Sequence, residues 1–193
     1  MKPEETVNAI SERYSPLTPE CREEMAACAT LLSLKKGTVL VREGQFSAKT
    51  YYIVNGCARA YYLKDGKDIS EWFAFENKFI SSIVSFFTGK PSPHYIELLE
   101  DSLLLELPKD QIEKLSDKYH DFERLIRVVL THTLLDQQER IASIQFYSAE
   151  QRYENILAIH PNITQRVPLT HIASYLGITL ETLSRIRKSK HRI

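Results

Sequence analysis

Glu181, Ser184 and Arg185 are the residues of this 193-residue chain whose types and spacing could do a definite kind of chemistry. A carboxylate accepts from a cytosine amino group, a hydroxyl serves either role, and a guanidinium fork binds guanine through two hydrogen bonds. Together they could read base edges in a major groove. Thr182, Lys188 and Lys190 lie on the same stretch and Thr170 and Thr179 precede it, adding hydroxyl and ammonium groups able to meet phosphates or flanking bases. The plain alternative is a solvated helix face. Bond-making chemistry has no comparable signal: there is no nucleophile elbow, phosphate-cradling glycine loop or dinucleotide fingerprint. Of the six histidines only His94 falls in the strand-forming region, which leaves no H-x-H cluster for a metal. No catalytic residue, metal or cofactor is therefore expected.

Two helices must position that set. Ile172, Ala173 and Leu176 share one face of a short first helix, Gly177 supplies a tight turn, and Leu180, Leu183 and Ile186 give a second helix its buried stripe. Thr179 is the natural N-cap of the second helix, and Ile178 can plug the corner between the two. The pattern Gly177-Ile178-Thr179-x-Glu181-Thr182-Leu183-Ser184-Arg185 resembles the recognition helix of the Crp/Fnr family of bacterial transcription regulators. The resemblance implies base contacts for Glu181, Ser184 and Arg185. Leu180 stands where the cyclic-AMP receptor carries a further arginine, so the likeness is closer to the fumarate-nitrate branch.

The charge distribution agrees with a nucleic-acid partner at one end. Net charge is zero, but residues 148–193 hold seven Lys/Arg against three Glu, net +4, leaving 18 basic and 22 acidic residues, net −4, in the rest. Five of those seven basic residues lie from Arg185 onward, as expected if only this end meets phosphates. A hydrophobic content of 43 % is enough for real cores. No run of 18 apolar residues and no signal-peptide pattern occurs, so a cytoplasmic protein without membrane contact is expected. Cys21, Cys28 and Cys57 form no C-x-x-C pair and read as buried thiols. Three cysteines are also one short of the cluster used by the iron-sulfur members of the resembled family.

Upstream, the sequence reads as an α+β chain. Thr18-Pro19-Glu20 opens a helix whose Met25, Cys28, Ala29 and Leu32 recur on one face. From Lys36 to Leu107 short strand-forming runs are punctuated by Asn55-Gly56 and Asp65-Gly66, both hairpin signals, which together suggest a roll or barrel. The layout Gly37-Thr38-x-Leu40, Glu43-Gly44, Tyr51 to Gly56 and Asp65-Gly66-Lys67 resembles the cyclic-nucleotide-binding β-roll (a jelly roll) of the same family. Relatives that bind the nucleotide place Gly-Glu after the Phe-Ile strand and Arg-Ser/Thr about ten residues later. Here those places hold Ser81-Ser82 and Ser92-Pro93, without a guanidinium for the phosphate and, at Pro93, without an N–H. Ser81, Ser82, His94 and Tyr95, with Gln137 and Gln138 from the long helix, would line the equivalent pocket, which either takes an unknown effector or is filled.

Residues 120–146 form one long helical pattern in which Phe122, Ile126, Leu130, Leu134, Ile141 and Ile144 recur at steps of three and four around Gln137. The stripe could face a second copy of the chain. Ser148-Ala149-Glu150-Gln151 is a capping box that starts a new helix, which must stop at His160-Pro161. The expected domains are therefore a β-roll sensor with N-terminal helices (1–119), a dimerisation helix and hinge (120–147), and a helix-turn-helix domain (148–193). The two-stranded wing of many relatives is not expected after the recognition helix. The resemblance implies a homodimeric regulator binding double-stranded DNA, with RNA polymerase as a further partner and the effector open. The competing reading is a small-molecule-binding or interaction module that has lost specific DNA binding.

Overall fold

A computed structural model describes residues 2–190, the side chain of Lys190 excepted. Helices α1 (Pro3–Arg13) and α2 (Pro19–Cys28) precede strands β1 (Thr30–Leu34), β2 (Val39–Val41), β3 (Lys49–Asn55), β4 (Ala58–Lys64), β5 (Lys67–Ala74) and β6 (Phe79–Ile80). Helix α3 (Ile83–Thr88) separates these from β7 (Tyr95–Leu98) and β8 (Ser102–Pro108). The rest is helical: α4 (Lys109–Lys118), α5 (His120–Phe146), α6 (Ala149–Ile159), α7 (Ile163–Arg166), α8 (Leu169–Tyr175) and α9 (Leu180–Lys190).

The strands form two antiparallel four-stranded sheets, in the orders β1-β8-β3-β6 and β2-β7-β4-β5. Strand alternation sorts the side chains. In β3, Tyr51 and Ile53 point into the roll with Ile96, Leu98 and Leu104, while Tyr52 points out into a core shared with Met25, Leu115 and Phe122. The first sheet is therefore buried on both faces, by the roll inside and by α1, α2, α4 and the start of α5 outside.

Several expectations shift. Helix α2 ends at Cys28, and Leu32 belongs to β1, paired with Leu104 of β8, because the stretch after Ala29 gains sheet hydrogen bonds that a longer helix would forgo. The Asp65-Gly66 hairpin joins β4 to β5 with both residues at positive φ (51° and 70°), as a type I′ turn requires. Asn55-Gly56 is not a hairpin: β3 and β4 lie in different sheets, and Gly56 (φ 115°) carries the chain across. A Cβ there would sit 2.1 Å from Ser102 Oγ, so the glycine is required by both conformation and space. The short helix α7 has no sequence signal of its own.

The capping box at Ser148 is formed. Gln151 N–H donates to Ser148 Oγ (3.2 Å) and Ser148 N–H to Gln151 Oε1 (2.9 Å), so only Tyr147 and Ser148 separate α5 from α6. Of the long-helix stripe, Phe122 is fully buried beneath the roll and so is already covered by the chain's own fold, and half-buried Ile126 packs against the same core. Leu130, Leu134, Ile141 and Ile144 remain exposed, joined by Leu135 and Phe146. Among the described residues no helix is long and apolar enough to cross a membrane, and no group of three His, Cys, Asp or Glu could hold a metal.

Candidate nucleic-acid interface and effector pockets

The helix-turn-helix is built from its apolar residues outward. Ile172, Ala173, Leu176 and Leu183 are buried in one cluster, and Gly177 turns the chain at φ 66°. Thr179 caps α9 by accepting from the Thr182 N–H at 3.2 Å. Leu180, expected in the buried stripe, is 39 % exposed at the first position of α9. The face this leaves open carries Glu181, Arg185 and Lys188 exposed, with Thr182 and Ser184 half-buried beside them; Thr170 and Thr179 are exposed at the two helix starts. The side chain of Lys190 lies outside the described residues. The Glu181 carboxyl is held below its usual range by its own backbone N–H and the Thr179 hydroxyl, so it is an acceptor at neutral pH.

The six residues expected to line one effector pocket are dispersed. Ser82 and Ser92 are buried and satisfy each other: Ser82 Oγ donates to Ser92 Oγ (2.8 Å), which donates to the His94 carbonyl (2.7 Å). No hydroxyl there is left to meet a phosphate. His94 is buried edge-on to Tyr62, with Nδ1 3.3 Å from Glu71 Oε2 but not aligned as a hydrogen bond. Tyr95 stacks on Tyr61 at 5.2 Å. Ser81 lines an apolar groove of about 100 Å³ under α5, with Phe79, Phe86 and Val129. Gln137 lines a different cleft, of about 480 Å³, between α5, β5 and α6 to α8, and Gln138 is exposed on α5.

The helix-turn-helix unit is fastened to the roll by contacts between residues far apart in the chain. Arg59 in β4 is 2 % exposed, yet charged. Its guanidinium donates to Asp68 (2.6 and 2.9 Å), Glu97 (2.6 and 3.1 Å) and Ser70 Oγ (3.1 Å), and stacks 4.0 Å from the Tyr61 ring. Arg59 Nη1 also lies 2.8 Å from His171 Nδ1 of α8. A guanidinium only donates, so His171 must accept there as the neutral ring. Burial first, and the Arg59 charge second, push the His171 pKa below its ordinary value, against the opposing pull of Asp68 and Glu97. Ser174 Oγ closes the joint by donating to the Asp68 carbonyl and accepting from the Ser70 N–H, each at 2.9 Å.

A second fastening lies at the other end of the unit. Arg166 of α7 forks onto Glu76 and Glu100, with Nη2 2.6 Å from Glu76 Oε1 and a close pair to Glu100. Burial alone would raise the Glu76 carboxyl, but Arg166 and the Gly56 amide outweigh it and hold it low. Between the two fastenings Phe73 and Phe75 of the roll, with Cys57 and Leu99, share one core with Tyr153, Ile163 and Ile172. Local pattern cannot reveal these ties, since Arg59 meets His171 across 112 residues and Arg166 meets Glu76 across 90. A lone arginine inside the strand run Ala58-Arg59-Ala60-Tyr61-Tyr62 was the one available hint.

This architecture has known counterparts. Residues 31–119 match the cyclic nucleotide-binding domain family. The fumarate and nitrate reduction regulatory protein of Vibrio cholerae is 26 % identical over 166 residues, 79 % of this chain; the chain spans 65 % of that relative's length. FixK2 from Bradyrhizobium japonicum shares the fold with a TM-score of 0.70 and 20 % identity over 85 % of each chain. A structure from Eubacterium rectale, described as a transcriptional regulator of the Crp/Fnr family, shares it with a TM-score of 0.70 and 18 % identity over 91 % of this chain and 86 % of that one. In sequence and fold the chain thus resembles Crp/Fnr regulators, with a roll, a long helix and a helix-turn-helix that carries exposed Glu181 and Arg185 and half-buried Ser184.

Proposed function

We propose that the chain is a sequence-specific DNA-binding transcription regulator that reads a two-fold operator as a homodimer and is not controlled by cyclic AMP. The observation that carries the reading is the face of α9, where an ionised Glu181, Ser184 and Arg185 stand on a capped helix with their apolar neighbours turned inward. One such helix reaches only a few base pairs, so useful specificity needs a second, about 34 Å away on a two-fold partner. The exposed stripe Leu130, Leu134, Ile141 and Ile144 supports pairing through α5. The mutually satisfied Ser82 and Ser92, with Pro93 lacking an N–H, speak against a cyclic nucleotide inside the roll.

Gel-shift titration against genomic fragments and random DNA tests this. Arg185→Ala is expected to cost about 1–3 kcal/mol per half-site on specific DNA and to narrow the gap to random DNA, whereas Lys188→Ala should weaken both alike and lower the salt slope by about one. Equal weakening of specific and random DNA by Arg185→Ala would remove base readout by α9 from the proposal.

A further inference from the structure

The 480 Å³ cleft between α5, the edge of the second sheet and the helix-turn-helix unit has the size of a small-molecule site. Its floor is aromatic: Trp72, Phe73, Phe75 and Tyr175 all line it. Its charge is unbalanced. Lys78 is neutralised by Asp136 at 2.6 Å and the exposed Glu139 contributes one negative charge, but two guanidiniums, Arg140 and Arg152, also line the cleft. Among the described residues neither guanidinium forms an ion pair with a carboxylate. Arg140 donates to the carbonyls of Tyr175 (2.9 Å) and Ser70 (3.4 Å), and Arg152 to those of Tyr147 (2.9 Å) and Ile144 (3.4 Å). The Nε of Arg152 is buried without a hydrogen-bond partner. Counted together, the lining carries a net charge of one positive.

We propose that this cleft binds a planar aromatic carboxylate, its ring against Trp72 and its anion between Arg140 and Arg152. A flat ring matches the aromatic floor, and a single carboxylate matches the surplus charge and the forked donors. This site is separate from the roll interior, where Ser82, Ser92 and His94 close on one another. Because Arg140 belongs to α5 and Arg152 to α6, an occupant bridges the long helix and the helix-turn-helix unit across the Tyr147 joint. Its effect on DNA affinity rests on the proposed function; the binding itself does not.

Calorimetry on the full chain with 2-naphthoate as probe tests the proposal, with 2-naphthol supplying the ring alone and acetate the anion alone. Naphthoate should bind at least about tenfold tighter than either control, and Arg152→Gln should weaken it about tenfold, the value of one charge-assisted contact. Arg140→Gln also loses the ties to Tyr175 and Ser70, so a second variant keeps the charges and removes the space. Ala158→Phe, on the cleft wall, should abolish binding while leaving the melting temperature near wild type. Val129→Phe, which fills the apolar groove under α5 instead, should leave binding unchanged. The proposal is overturned if naphthoate binds no tighter than both controls, or if Val129→Phe and not Ala158→Phe removes it. None of these readouts uses DNA, so a failure of operator binding would leave them interpretable.

Discussion

Arg59 and His171 show how much one buried cation can organise. The guanidinium is almost wholly removed from water and holds two carboxylates, a hydroxyl and an imidazole from three elements, β5, β7 and α8. Arg59→Met should cost about 2–4 kcal/mol of unfolding free energy, below the full penalty for a buried pair because Asp68 and Glu97 keep part of their solvent. Chemical denaturation measures it; a change within about 0.5 kcal/mol would show the network to be energetically idle. The joint also senses acid. His171 and His160 both have pKa values below the ordinary histidine value: burial is the first cause for each, aided by Arg59 for the former and by Lys78 and Arg166 for the latter. A depressed folded-state pKa means the unfolded chain takes up the proton first. The stability these rings contribute is therefore intact above about pH 6.5 and is lost as pH falls through that value toward the lower folded one. Melting temperature should drop between about pH 7 and about pH 5, and less steeply in the His160→Asn, His171→Asn double variant; parallel slopes would contradict the assignment.

At the scale of the element, the joint between α5 and α6 is set by two residues of sequence and a pair of reciprocal hydrogen bonds. Ser148→Ala removes the acceptor for the Gln151 N–H and should cost about 1 kcal/mol, read as a lower denaturation midpoint at unchanged slope. Gly56 is a stricter requirement, because any side chain must both hold φ at 115° and displace Ser102. Gly56→Ala should cost at least about 1–3 kcal/mol for the backbone alone. Ser102→Gly in the same chain should return only the steric part; complete recovery would mean that backbone strain contributes nothing.

The whole molecule is two layers of fastening around one exposed seam. Inside the protomer, the helix-turn-helix unit is tied to the roll by Arg59 and Arg166 at its two ends and by a shared aromatic core between them. Outside it, Leu134 (67 % exposed) and Ile141 (56 % exposed) on α5 present apolar surface that the protomer does not cover. Light scattering should find a dimer at micromolar concentration, and Leu134→Asp with Ile141→Asp should give a folded monomer with much weaker operator binding. A monomeric wild-type protein would exclude α5 as the seam.

The sequence by itself determined whatever rests on near neighbours in the chain. The bounds of α5, the capping box at Ser148, the Asp65-Gly66 hairpin, the Gly177 turn and the Thr179 cap all depend on residues within about one turn of each other, where residue type fixes φ or supplies the partner atom. The outward set Glu181, Ser184 and Arg185 was legible for the same reason, since helical period alone assigns faces. Only the tertiary structure decided where strands with equal propensity pair. It divided β3 from β4 across Gly56 and moved Leu32 from a helix into a sheet. It also decided which apolar positions were already used: Phe122 and Leu134 look alike along α5, but the roll covers the first and leaves the second to solvent. The same holds for the effector residues. Ser81, Ser82 and Gln137 are assigned to separate places by the path of α3 and the docking of α6 to α8, and contacts spanning up to 112 residues have no signature in local sequence.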